Sequence, residues 1–266
     1  MESTMIFGIS PIFALLPLII YIILAFKDIN PVLNVVICVI LSAIMTKQPF
    51  SGMGDVISSA LGSFLGIIGF IIMLGSALGA VLKETGAAEF LIMTLMKKIG
   101  IDSEKKAIIA SMVTSIVIVA LLGTLAGANA IIAPMIIPLV AIIGITPSTM
   151  AVVLMGAGIT GLFIGPYSPQ VVTIMSLTGM SYVEYILQTG LPVALICWIT
   201  TFVCALGIQK KTRGVYKYEL EETVEDNYVP SAGAKRATLA FAISMIALIA
   251  YGIYLQSGSS YAILVI

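Results

Sequence analysis

Between Lys106 and Lys210, a stretch of more than one hundred residues, the only formally charged side chain is Glu184. A water-facing surface cannot be built from such a stretch, whereas a helix needs only about 20 mainly apolar residues to cross roughly 30 Å of hydrocarbon. Lipid offers the backbone no hydrogen bonds, so a chain that enters it must satisfy its own N–H and C=O groups, most simply in helices. The rest of the sequence agrees: 60% of the 266 residues are apolar and 10% charged, where soluble domains carry about 25% charge. The expected fold is all-α, a polytopic membrane protein of about eight transmembrane helices with broken or re-entrant helices and one surface amphipathic helix.

Apolar runs place the spans at about 9–26, 30–46, 63–82, 107–122, 131–145, 149–164, 188–208 and 237–255. Pro31 suits a first helical turn, where its missing N–H costs nothing. Residues 51–62 mix Ser, Gly and Asp55 with apolar residues, as an interfacial approach to the third span would. That span carries Gly75-x-x-x-Gly79, a spacing that lets helix backbones pack closely in lipid. From Lys83 to Lys106, Ala88, Phe90, Leu91, Leu95 and Met96 recur at helical spacing beside Lys97 and Lys98, the pattern of an amphipathic helix on the membrane surface. Four segments follow: N-terminal helices and interface (1–62), a transport core (63–208), a hydrophilic loop (209–236) and the start of a second half (237–266). Tyr261–Ile266 reads as the opening of a ninth helix, which suggests a fragment of a longer protein.

Lys and Arg enrichment marks cytoplasmic loops. The richest loops, 83–106 with five and 209–236 with six, are therefore expected inside. Threading the spans on that constraint puts the N-terminus outside in an inner (plasma) membrane, and the chain returns inside at Lys210 as required.

Several chemistries lack their residues. Lys and Arg equal Asp and Glu at 13 each, which leaves no basic excess for nucleic acid, and there is no histidine. Cys38, Cys197 and Cys204 sit singly in apolar runs, with no metal or disulfide pattern. Gly52-Met53-Gly54-Asp55 spells the G-x-G-D of intramembrane aspartyl proteases, but no second Asp lies in a span to act as its acid or base partner. Walker, H-E-x-x-H and G-x-S-x-G motifs are absent from the sequence. No enzyme activity, cofactor or resident metal is expected.

What remains is interrupted helix. A break at membrane depth survives only where it is buried in protein or faces a wet cavity. One candidate runs from Gly123 and Thr124 through Gly127 and Asn129 to Pro134 and Pro138; the other runs from Gly156 through Thr160, Gly161, Gly165, Pro166, Ser168, Pro169 and Gln170 to Thr173. Freed N–H groups at a half-helix N-terminus hold a carboxylate, and freed carbonyls hold Na+. Thr124, Asn129, Thr160, Ser168, Gln170 and Thr173 are the expected lining, with Na+ held transiently at Thr124 and Asn129. Glu184 lies in Ser181-Tyr-Val-Glu-Tyr185, whose tyrosines suit an interface belt, and reads as a solvated carboxylate.

Two stretches also resemble known families. Gly75-Ser-Ala-Leu-Gly79-Ala-Val-Leu-Lys-Glu-Thr-Gly86-Ala-Ala-Glu resembles a segment of gluconate/C4-dicarboxylate-type permeases. Gly123-Thr124…Pro134 with Gly156…Gly165-Pro166-Tyr167-Ser168-Pro169 resembles the paired broken helices of NhaC-type Na+/H+ antiporters. Both fall in the ion transporter superfamily of secondary carriers. The resemblance implies alternating-access movement of an organic anion coupled to Na+ or H+, or else Na+/H+ exchange. NhaC-like proteins carry acids near the second break, and this chain has none there, which favours the anion carrier. A membrane scaffold without transport is the rival of another class; it requires dry, tightly packed breaks. The partners expected are the lipid bilayer, a small-molecule or ion substrate and at most a second copy of the chain in a homodimer.

Overall fold

The computed structural model of the chain describes residues 13, 15–27, 29–46, 49–218 and 232–254. They form helices only: α1 (Leu16–Ala25), α2 (Pro31–Met45), α3 (Met53–Leu61), α4 (Phe64–Glu84), α5 (Ala87–Ile99), α6 (Glu104–Leu122), α7 (Leu125–Ala141), α8 (Pro147–Ile164), α9 (Pro169–Thr178), α10 (Tyr182–Tyr185), α11 (Leu191–Thr212) and α12 (Ala232–Tyr254). Five helical stretches are long and apolar enough to cross a membrane: Gly66–Glu84, Glu104–Leu122, Pro147–Thr178, Tyr182–Thr212 and Gly233–Gly252. Shorter apolar helices are Leu16–Ala25, Pro31–Met45 and Leu125–Ala141. The ninth helix expected beyond residue 254 and the acidic centre of the 209–236 loop lie outside the described residues.

The chain divides into two compact units, residues 1–66 and 67–266. In the first, Asn30 caps α2 by accepting from Val32 N at 2.9 Å, with Pro31 at the opening of the helix. Buried Asn34 ties α2 to α1 by donating to the Tyr21 carbonyl at 2.9 Å. Asp55 lies exposed in the first turn of α3.

The second unit is built around α8, which packs on α6 along one side and α11 along the other. Its glycines set the approach. A Cβ added at Gly161 would stand 2.7 Å from the Ile116 carbonyl oxygen, and one at Gly165 would stand 2.6 Å from that of Ala120. Successive α8 positions thus meet successive α6 positions, so the two helices run parallel, and α7, which joins them in the chain, runs back in the opposite sense and packs on both. Near-complete burial of Met112, Val119, Ile132, Ile136, Met150 and Val153 gives this unit its core. Leu195, Ile196, Ile199 and Val203 of α11 and Leu239, Ile243 and Ile246 of α12 face outward, as lipid-facing side chains do.

At the end where α8 begins, Gln209 of α11 is buried and reaches three partners. Its Oε1 accepts from Thr146 N at 3.1 Å and Thr149 Oγ1 at 2.8 Å, and its Nε2 donates to the Gly144 carbonyl at 2.9 Å. Nearby, Arg213 pairs with Glu104 at 3.2 Å, so the ends of α6 and α11 meet there.

The amphipathic helix is present as α5, with its apolar face packed on protein and Lys97 and Lys98 exposed. Ala87, Ala88, Ile92 and Met96 are buried, against α6, α7 and α12, and Thr238 of α12 donates to the Ala87 carbonyl at 3.1 Å. The stripe that lipid would have covered is covered by protein, and α5 separates Lys83 from the exposed Lys97 and Lys98. The prolines at 134 and 138, in turn, do not interrupt the chain, because α7 runs through both. They lie one turn apart, so the two hydrogen bonds they forfeit fall on one face, where Ala130 and Pro134 are exposed.

Candidate functional site

Two interruptions remain, and both are short. The first is Gly123–Thr124, between α6 and α7. Gly123 takes the left-handed conformation (φ +64°) that favours glycine, and its N–H closes α6 on the Val119 carbonyl at 2.8 Å. Thr124 turns extended and caps α7, its Oγ1 accepting from Gly127 N at 3.1 Å. The second interruption is Gly165–Ser168, between α8 and α9. Gly165 N bonds the Gly161 carbonyl at 2.9 Å, Pro169 opens α9, and Ser168 stands at the N-cap without a side-chain cap bond.

The structure brings these interruptions into contact. A Cβ at Gly123 would lie 3.0 Å from the Tyr167 carbonyl oxygen and 3.6 Å from Ser168 Cα. On the other flank of the first break, a Cβ at Gly75 of α4 would lie 2.5 Å from the Leu122 carbonyl oxygen and 3.2 Å from Thr124 Cγ2. Gly75, Gly123 and Gly165 are therefore glycines because backbone passes where a side chain would be.

Two half-helix N-termini, those of α7 and α9, converge here with the C-termini of α6 and α8. The sign of the local field depends on which ends stay uncovered. At α8 the last carbonyls are covered: Tyr182 Oη donates to the Ile164 carbonyl at 2.6 Å and Tyr185 Oη to that of Phe163 at 3.0 Å. Those hydroxyls draw negative potential away from the end of α8. The N-terminus of α9, two residues beyond Tyr167, carries no side-chain cap, so its free N–H groups lend the place positive potential.

Buried side-chain oxygens without a partner complete the picture. They are Ser168 Oγ, Asn129 Oδ1, Thr114 Oγ1 and Ser115 Oγ. A buried unpaired polar group costs about 1–3 kcal/mol, so each of these oxygens calls for a partner such as an ordered water or an ion.

Of the residues singled out by sequence, Gly123, Thr124, Gly127, Gly165 and Ser168 gather at the paired breaks, Pro166 lies within the second, and Asn129 follows on α7, four residues after Leu125. Thr160 and Thr173 do not offer free hydroxyls: they donate to the carbonyls of Gly156 at 2.9 Å and Pro169 at 2.6 Å. Gln170 is exposed. Pro169 shapes α9, while Pro134 and Pro138 sit further along α7. Sequence reasoning missed Thr114 and Ser115, whose adjacent hydroxyls in an uncharged helix were the available signal, and it assigned Tyr182 and Tyr185 to an interface belt. Glu184 is exposed, and its Oε2 accepts from Ser181 N and Oγ, both at 2.9 Å, in a capping box. An open cleft of about 420 Å³ lined by Glu104, Gly144, Arg213 and Lys217 lies at the other end of α6, 19 residues from the break, roughly 28 Å away at 1.5 Å per residue. It is a mouth of the bundle, not the paired-break site.

The family model described as GntP family permease matches residues 7–261. The chain belongs to the GntP permease family. No curated protein and no solved structure matches it. Membership makes the chain a multi-pass membrane protein of a transporter family. The specific likeness to NhaC-type antiporters or C4-dicarboxylate permeases is carried by the motifs alone.

Proposed function

We propose that this permease is a secondary active carrier that moves a small carboxylate-bearing organic anion by alternating access, coupled to Na+ or H+. The observation that carries the reading is the contact between the Gly123 and Tyr167–Ser168 breaks, which sets the uncapped α9 N-terminus and the unpartnered Ser168 hydroxyl at one place. N-terminal N–H groups and a hydroxyl donor are suited to a carboxylate. Substrate held there touches α6–α7 on one side and α8–α9 on the other, so rocking one pair against the other changes which face of the membrane it meets. A Na+/H+ exchange reading needs a carboxylate that takes and releases a proton at the site. Between Lys106 and Lys210 the sequence offers only Glu184, and that residue caps α10.

For localisation we propose an inner (plasma) membrane with the Lys97–Lys106 and Lys210–Lys217 ends cytoplasmic. The Glu104–Arg213 pair supports it by joining those two basic ends.

The test is uptake of labelled carboxylates by the chain in proteoliposomes, with Na+ and H+ gradients imposed separately. Accumulation against a concentration gradient, reduced about tenfold or more in Ser168→Ala, is expected, since one lost charge-assisted hydrogen bond is worth about 1.5–3 kcal/mol. Cation exchange that proceeds without any organic solute overturns the reading.

A further inference from the structure

No Lys or Arg occurs between Lys106 and Lys210, and both limits of that gap come to one end of the second unit. Lys105 and Lys106 stand in the first turn of α6, while Lys210 and Lys211 end α11 and Arg213 follows them. The Glu104–Arg213 pair, at 3.2 Å, joins these two helix ends. Charged side chains resume where hydrocarbon gives way to headgroups, so this end of the bundle lies at headgroup level. Among the described residues here, Lys105, Lys106, Lys210, Lys211, Arg213 and Lys217 face only Asp102 and Glu104 as acids, a local excess of four positive charges.

The open cleft of about 420 Å³ lies among these ends, with Arg213 and Lys217 in its wall. Arg213 gives Glu104 its Nε, and among the described residues neither its terminal nitrogens nor the Lys217 ammonium enters another ion pair. Carbonyls at the ends of α7 and α11 would oppose an anion, but they are occupied: Val140 O accepts from Ile145 N at 3.1 Å, Gly144 O from Gln209 Nε2 at 2.9 Å and Thr212 O from Val215 N at 3.0 Å. The wall therefore attracts negative charge. Its rim has another character. Ile142, next to the lining Ile143, and Val215, between the lining Gly214 and Tyr216, are exposed apolar side chains. Tyr216, also exposed, is of the amphipathic type that favours the membrane interface. A soluble anion uses the basic wall and leaves the rim in water, whereas a phospholipid covers both.

We propose that this cleft binds the headgroup of an anionic phospholipid, its phosphate held by Arg213 and Lys217 and its acyl chains lying along Ile142 and Val215. Basic pockets between transmembrane helices hold anionic headgroups in this way, and the planar fork of an arginine matches phosphate oxygens. A lipid seated there bridges the start of α6 to the ends of α7 and α11, so it binds the folded bundle and stabilises it by mass action. The site is separate from the paired breaks and holds whatever solute they carry.

Protein purified in a neutral detergent tests this by titration with phosphatidylglycerol, with retained lipid measured by native mass spectrometry and thermal unfolding recorded alongside. Phosphatidylcholine with the same chains lacks the net charge, and glycerol 3-phosphate lacks the chains. Wild type is expected to retain phosphatidylglycerol about fivefold or more over phosphatidylcholine and to unfold at a higher temperature with it. Lys217→Gln should weaken that binding about fivefold, as loss of one basic contact worth about 1 kcal/mol implies. The double variant Glu104→Gln with Arg213→Gln should do the same although it leaves the net charge unchanged and strands neither partner of the pair. Lys97→Gln, an equal charge change at an exposed α5 residue outside the cleft, should bind as wild type does. An equal loss in Lys97→Gln, or none in both cleft variants, overturns the proposal, since attraction is then spread over the basic surface. Stabilisation by glycerol 3-phosphate as strong as by the lipid overturns it in favour of a soluble anion. Lipid binding that appears only after Glu219, Glu221 and Glu222 are changed to Gln overturns it in favour of the chain's own acidic residues as occupant.

Discussion

Replacing Gly123 with alanine sets a methyl group 3.0 Å from the Tyr167 carbonyl oxygen and 3.4 Å from its carbon, at a residue whose φ is +64°. The left-handed conformation costs an L residue roughly 1–2 kcal/mol, and forcing an extra methyl into packed structure typically costs 1–3 kcal/mol. Alanine's smaller unfolded-state entropy returns about 0.4–1 kcal/mol. The balance is a loss of about 1–4.5 kcal/mol, which at roughly 2–4 °C per kcal/mol for a chain of this size lowers the apparent Tm by about 2–18 °C. The obstructing atoms are backbone on the opposite break, so relief comes only by parting the two breaks, and transport should fall more than stability alone accounts for. Gly179→Ala is the matched control. It has φ +73° with no atom within 4 Å of the added Cβ, so it incurs the conformational term alone, about 1 kcal/mol. Unfolding in detergent and carboxylate uptake in proteoliposomes measure both effects. If Gly123→Ala and Gly179→Ala unfold at the same temperature and transport equally, the breaks do not bear on one another as argued.

Tyr185→Phe removes the hydroxyl that covers the Phe163 carbonyl and should destabilise by about 1–2 kcal/mol, seen as a lower Tm. Uptake should fall as well, because the α8 end regains negative potential beside the anion. Gln209→Leu breaks three hydrogen bonds between α11 and the α7–α8 turn and leaves their partners buried; a loss of about 3 kcal/mol or more is expected on thermal unfolding, with any transport defect rescued at lower temperature. Gln170→Ala alters an exposed side chain and should leave uptake within about twofold of wild type, which transport kinetics will show.

How much of this was legible follows from what each feature depends on. Spans could be read because apolar length answers to bilayer thickness, a one-dimensional constraint; every expected run from 107 to 208 finds its helix, with ends shifted by a few residues by caps such as Ser103 and Thr146. The breaks were legible as Gly-Thr and Gly-Pro-Tyr-Ser-Pro because left-handed and extended backbone needs those residues locally. Their extent was not. Pro134 and Pro138 look like breakers until their one-turn spacing puts both lost bonds on a single outward face. The partner of each polar group was least legible of all. Thr160 and Ser115 are equivalent in sequence, each a hydroxyl in an uncharged helix. One bonds its own backbone and the other faces Gly158 of another helix across a separation of 43 residues, and only packing decides which. Tyr182 and Tyr185 carry the same lesson in reverse. Their rings suit an interface, yet the break they lie against leaves two carbonyls in need of donors, and hydroxyls within reach are drawn inward to supply them. In a chain so poor in charge, neutral hydroxyls and amides must do what carboxylates and lysines do elsewhere. The site proposed above is therefore argued from which of them fail to satisfy themselves, a property that exists only once the helices have met.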